Sequence, residues 1–192
     1  MNAAEHIVEA YYRLCQNCFT LSDQKVDNGN NRQLDLLAYQ IGSQAQFHIE
    51  IGVTHRERWC PTIDDLAPKF EKKFFGKPAD RPGATDGRTD VERQKNYFDK
   101  IEAVYRKVGF DPLKVRRVWV CWILVENEGG SQRSIPYEST CLKRIFNIEI
   151  LSFRDYVLEQ LEHKVGTSNY DDSMLRMLGF LKQRQLQLRK AG

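Results

Sequence analysis

At 192 residues, with 41% hydrophobic and 29% charged side chains, the chain is long enough for one domain with a real core and too short for two comfortable ones. No apolar run approaches a membrane span. The N-terminal stretch MNAAEHIVEAYYR carries acids early instead of the basic-then-apolar pattern of an export signal, so the expected compartment is the cytoplasm, with no membrane partner. The net charge of +3 is uneven: residues 1–64 hold 5 basic and 8 acidic side chains, residues 65–192 hold 24 and 18. Such a split suits an acidic metal site set in a phosphate-binding surface.

Ala4, Ile7, Val8, Tyr11, Cys15 and Cys18 recur at helical spacing and predict a helix over 3–18. Cys15 and Cys18 form a CxxC on it. With no second CxxC or histidine pair downstream, buried free thiols are favoured over a zinc or redox role. SDQKVDNGNNR, 22–32, is turn chemistry. Two strands, 33–40 and 46–54, joined by the loop IGSQ, form a predicted hairpin. A helix beginning at Thr62 or Asp64 follows, with Leu66, Phe70 and Phe74 on one face and Gly76 past its end. Residues 77–87, KPADRPGATDG, are expected to be a mobile flap or plain surface slack. A helix over 90–108 precedes VRRVWVCWILVE, 115–126, whose near-continuous apolar run predicts a strand covered on both faces. FNIEILS, 146–152, predicts a further strand, leading into a helix over 153–166 and a last helix over 171–189. This order implies an α/β domain spanning 1–192, a central mixed β-sheet flanked by helices.

Each strand of the predicted hairpin holds one carboxylate, Asp35 and Glu50. Strand alternation places His48, Glu50, Gly52 and Thr54 on one face and Phe47, Ile49, Ile51 and Val53 on the core face. A carboxylate in mid-strand is costly to desolvate unless something compensates it. Two of them on neighbouring strands can hold a hard cation such as Mg²⁺ (or Mn²⁺). That ion would polarise a phosphodiester and activate a water. The alternative is a sheet edge whose acids make ordinary salt bridges with Arg32, Arg56 or Arg58.

AAEHIVEAYYR, NRQLDLLAY, FHIEIGVTH and NIEILSFRDYVLEQL, in that order, resemble the core of the PD-(D/E)XK (restriction-endonuclease-like) nuclease superfamily. In that family a helix bears an acid, one strand supplies Asp and the next supplies Glu-x-Lys. The resemblance implies that Asp35 and Glu50 bind the metal, that the Ile51 carbonyl adds a third oxygen, and that Glu5 is an outer acid, with Glu9 as a one-turn alternative. It departs from the family at Gly52, which stands where the lysine would be. Lys69, Lys72 and Lys73 on the following helix are the candidates to replace it, Lys69 and Lys73 flanking the Leu66–Phe70 stripe. Otherwise these are solvated helix lysines, and Lys25 is a remoter choice. His48 is either a proton-transfer group or a polar residue on a partly solvated face.

Arg56, Arg58 and Trp59 interleave cations with an indole, a pattern suited to phosphate contact and base stacking. Lys182 and Arg184 begin a basic C-terminal tail with Arg189 and Lys190. The expected function is a Mg²⁺-dependent DNA endonuclease using a metal-activated water, possible as a homodimer. Two alternatives stay open: a nuclease-fold protein that binds nucleic acid or a protein partner without cutting, and a small α/β domain unrelated to nucleic acid.

Overall fold

A computed structural model describes residues 2–27, 31–54, 60–77, 96–124 and 131–191. Helix α1 (Ala3–Leu14) opens on a capping box in which Asn2 and Glu5 exchange hydrogen bonds. Strands β1 (Cys18–Lys25), β2 (Gln33–Gln40) and β3 (Gln46–Ile51) form an antiparallel meander. Helix α2 (Ile63–Lys73), capped by a Thr62–Asp65 box, and helix α3 (Phe98–Lys107) follow. Strand β4 (Val115–Cys121) pairs parallel to β3; β5 (Gln132–Ser139) and β6 (Arg144–Ser152) form a hairpin whose β6 pairs parallel to β4. A π-helical turn (Phe153–Leu158), helix α4 (Glu159–Lys164) and helix α5 (Ser173–Ala191) complete the described chain. The protein is thus α/β, with a six-stranded mixed sheet in the order β1-β2-β3-β4-β6-β5, flanked by helices.

Both faces of the sheet are covered. Leu36, Ala38, Phe47, Ile49, Val118 and Val120 pack under α1 and the π-helical turn. Trp119, Cys121, Ile148 and Ile150 pack under α2 and Phe98, and Leu34, Leu37 and Val115 pack against Ile101, Val104 and Tyr105 of α3. The two-sided burial expected of the strand at 115 holds: Val118, Trp119, Val120 and Cys121 are buried. The partly solvated face expected for His48 does not, since His48 and Glu50 are fully buried beneath the second layer.

The two strands missed in the sequence are the two edges of the sheet. β1 occupies part of the segment assigned to helix and turn, and it places Cys18 on a strand; Asn17, at φ 52°, reverses the chain before it. Its sequence CFTLSDQK has one polar face and little apolar alternation, which an edge strand tolerates because half of it meets water. β5 contains Pro136, a residue excluded from central strands but compatible with an edge. Strands β3 and β4 end earlier than predicted, at Ile51 and Cys121. Residues 78–95, which hold most of the predicted flap and Val91, lie outside the described residues.

Candidate functional site

The β2–β3 ladder pairs Leu37 with His48 and Leu36 with Ile49, so the next positions in register are Asp35 and Glu50. There the backbone pairing gives way to side chains. The Ile51 amide donates to Asp35 Oδ2 at 2.9 Å, and the Asp35 amide donates, at a long 3.5 Å, to Glu50 Oε1. Each carboxylate therefore uses one oxygen to accept a strand amide. The other oxygens, Asp35 Oδ1 and Glu50 Oε2, face the Lys73 ammonium at 2.9 and 2.5 Å. Lys73 is the cation that both acids share, and beyond its ammonium no other donor reaches the buried Glu50 Oε2.

Of the three helix lysines considered, Lys73 is the one brought to the acids. Lys72 is exposed, and Lys69, four residues earlier and one turn back, lies beside Asp65 and Cys121. Two features aim α2. Phe70 and Phe74 pack edge-on against the Trp119 indole, 5.6 and 6.2 Å between centroids. Glu71 is clamped by the Tyr137 hydroxyl, the Ser139 hydroxyl and the Thr140 amide at the end of β5. The indole also explains Gly52. A Cβ at that position would stand 2.4 Å from Trp119 Cζ2, so the ring fills the space a side chain on the strand would need. Trp119 thus excludes a lysine at 52 and seats the helix that supplies one from the other side.

A hydrogen-bonded chain stands behind Glu50. His48 Nε2 lies 2.7 Å from Glu50 Oε1, and His48 Nδ1 lies 2.6 Å from the Tyr105 hydroxyl. Burial, then the nearby Arg117 charge, depresses the imidazole to about 3, so it is neutral. Burial keeps the Tyr105 phenol protonated, against the opposing pull of Arg117. One tautomer satisfies every atom: Tyr105 O–H donates to Nδ1, and Nε2–H donates to Glu50. His48 is therefore a positioning residue that orients Glu50.

Burial and the Glu50 charge push Asp35 up to about 6, although Lys73 opposes both. Glu50 is raised as well, by burial, against Lys73. For Lys73 burial favours the neutral amine, but the two acids outweigh it and hold the ammonium above its ordinary value. One cation does not offset two buried carboxylates. Arg32, three residues before Asp35, adds a second cation within reach of the Glu50 charge. Its Nη2 donates to the Lys77 carbonyl and its guanidinium lies over Tyr97, while Nε and Nη1 are buried without partners.

Comparisons with protein families, with curated proteins and with solved structures return no match. The site therefore rests on its own geometry.

Other predicted residues fall elsewhere. Glu5 caps α1, accepting from the Asn2 amide and side chain at 2.7 Å each, and Glu9 accepts from Thr20. Helix α1 packs on the face of the sheet opposite His48 and Glu50, and among the described residues no three acidic, histidine or cysteine side chains form a metal-ligand group. The Glu5 carboxylate is engaged at the helix terminus, which favours an anion there, and is not brought to Asp35 and Glu50. The Lys182 ammonium caps the carbonyls of Glu162 and Val165 at the end of α4, at 2.8 Å each. Arg184 is exposed on α5. Arg56, Arg58 and Trp59 lie outside the described residues. Sequence reasoning missed Tyr105, Trp119 and Glu71. Each acts across more than 50 residues of sequence separation, and only the aromatic content of the flanking segments hinted at them.

Proposed function

We propose that this chain is a divalent-cation-dependent DNA endonuclease with a restriction-endonuclease-like core, in which the catalytic lysine has moved from strand β3 to helix α2. The observation that carries this is Lys73 Nζ at 2.9 Å from Asp35 Oδ1 and 2.5 Å from Glu50 Oε2. Two acids on adjacent strands and a lysine are the groups that phosphodiester hydrolysis needs, and they meet although position 52 is glycine.

The donor set suits a hard cation. Asp35 and Glu50 turn one oxygen each to a shared point, which the Lys73 ammonium meets, and carboxylate oxygens are the ligands a hard cation takes. Asp35 and Glu50 would hold Mg²⁺ or Mn²⁺, with the Ile51 carbonyl as a third oxygen. When bound, such an ion polarises the scissile phosphodiester and lowers the pKa of an attacking water. The Lys73 ammonium orients that water and offsets charge developing on the phosphate. His48 and Tyr105 hold Glu50 in place, and Arg32 offers guanidinium N–H groups to a phosphate oxygen. No helix among the described residues is long and apolar enough to cross a membrane, in keeping with a cytoplasmic protein that acts on DNA.

Supercoiled-plasmid nicking tests this. Wild type should nick in Mg²⁺ or Mn²⁺, and Glu50→Gln and Lys73→Met should each slow nicking by about a hundredfold or more. Wild type nicking no faster than both variants, with metal present, would overturn the proposal.

One observation favours a second reading. Lys73 already gives both acids a cation, and the neighbouring His48 has both ring nitrogens engaged by Glu50 and Tyr105, so among the described residues no three such side chains form a metal-ligand group. In that case the triad is a charge-compensated brace in a nuclease-fold protein that binds nucleic acid or a protein partner without cutting. A melting temperature that rises with Mn²⁺ in wild type but not in Asp35→Asn supports the enzyme; no rise in either supports the brace.

A further inference from the structure

At the N-terminal ends of β4 and β6 a groove of about 800 Å³ opens between Phe98 of α3, the segment before β4, and Arg144–Phe146, with none of Asp35, Glu50 and Lys73 in its lining. Arg117 reaches into it from the sheet. This guanidinium is only 6% exposed; Nη1 donates to its own strand at the Val115 carbonyl, 3.3 Å away, and Nε is buried with no partner. It lies over the Phe146 ring, 4.7 Å from the centroid, and Arg144 lies over the same ring at 5.3 Å.

The other charges around the groove are matched. Arg116 pairs with Glu149 at 2.6 Å, Glu102 pairs with Arg106 at 2.7 Å, and Lys114 lies 3.7 Å from Asp111. Among the described residues no acid forms a direct ion pair with Arg117 or Arg144, although the Glu102 carboxylate on the same lining acts on Arg117 from a distance. Burying a guanidinium with no direct ion pair and an unsatisfied Nε is costly, and an oxyanion in the groove would offset that cost. Two neighbouring cations over one ring offer a place for a single oxyanion, not for a row of phosphates. Leu113 and Ile145, 84% and 72% exposed on the same rim, offer contact to an apolar or planar body.

We infer that this groove is a second ligand site, taking a small phosphomonoester whose phosphate is held by Arg117 and Arg144 and whose body lies on Leu113 and Ile145. The inference does not depend on the nuclease reading.

Calorimetry and thermal melts of the full chain, with adenosine monophosphate, adenosine, inorganic phosphate and a short single-stranded DNA as probes, test it. Adenosine monophosphate should bind saturably and raise the melting temperature, inorganic phosphate should compete more weakly, and adenosine should not bind. Arg117→Met should fold, because a buried guanidinium with no direct ion pair is replaced by an apolar side chain of similar length, and should lose about tenfold or more in affinity. Arg144→Gln, an exposed change, should lose about threefold or more, and Asp35→Asn should bind unchanged, which separates this site from the acidic cluster. Absence of binding by wild type overturns the inference, as does unchanged affinity in Arg117→Met or in Arg144→Gln. Tighter, Arg117-dependent binding of the single-stranded DNA would also overturn it and make the groove part of a nucleic-acid track.

Discussion

Asp35 carries the pH dependence of the site. Its carboxyl titrates at about 6 in the folded chain against an ordinary 3.8. The folded state therefore holds this proton more tightly than the unfolded state, and between those values the group costs stability as pH rises, in full above 6. A divalent cation binds the deprotonated form and recovers that cost. The rise in melting temperature caused by Mn²⁺ should accordingly be small near pH 5, grow through about pH 6, and level off by about pH 8; Asp35→Asn should abolish it. His48 runs the other way. Its folded value, about 3 against 6.5, gives stability that is complete above 6.5 and lost as pH falls. Comparing melts with and without metal at each pH cancels that contribution. Lys73→Met should separate binding from chemistry, because removing an ammonium that competes for the same two oxygens should strengthen Mn²⁺ binding while nicking is lost. Weaker metal binding in Lys73→Met would contradict this account of the triad.

At the scale of elements, the site depends on how α2 is seated. Phe70 and Phe74 are fully buried against Trp119, and Phe74→Ala should cost about 3–5 kcal/mol in urea unfolding. Glu71→Ala should loosen the same helix by leaving the Thr140 amide and two hydroxyls without their acceptor, a cost of about 1–3 kcal/mol. Its nicking should fall although Glu71 touches neither Asp35 nor Glu50. Gly52→Lys is the informative counter-test. The new side chain collides with the indole, so stability should drop by about 1–3 kcal/mol or more. The substitution should not rescue Lys73→Met; rescue would mean that Trp119 yields easily and that the lysine position is not set by packing.

Across the whole molecule, charge is spread too thinly to dominate binding. The net +3 and the internal use of Lys182 leave Arg184, Arg189 and Lys190 of α5 as exposed cations on one element. DNA binding should weaken with a shallow slope between low and physiological salt, as few phosphate contacts imply, and Arg184→Gln should weaken it uniformly across sequences, read by a gel-shift titration at two salt concentrations. An unchanged salt slope in that variant would remove α5 from the contact surface.

Local chemistry by itself determined the parts of this protein that need no distant partner: the central strands β2, β3, β4 and β6, the helices α2 and α3, and the two carboxylates at matching places in the hairpin. Apolar periodicity and mid-strand acids are legible because burial imposes them residue by residue. The capping role of Glu5 is equally local, since an acid in a first helical turn serves the cap. The edge strands β1 and β5 escaped because an edge needs only half the apolar pattern, and one of them even carries Pro136. Tertiary structure alone decided which lysine meets the acids and why Gly52 stays glycine. Lys73 reaches Asp35 and Glu50 only because Trp119, from a strand 67 positions beyond Gly52, fills the vacated space and supports the helix above it. Such a fit is a property of three packed elements, and no window of sequence contains it.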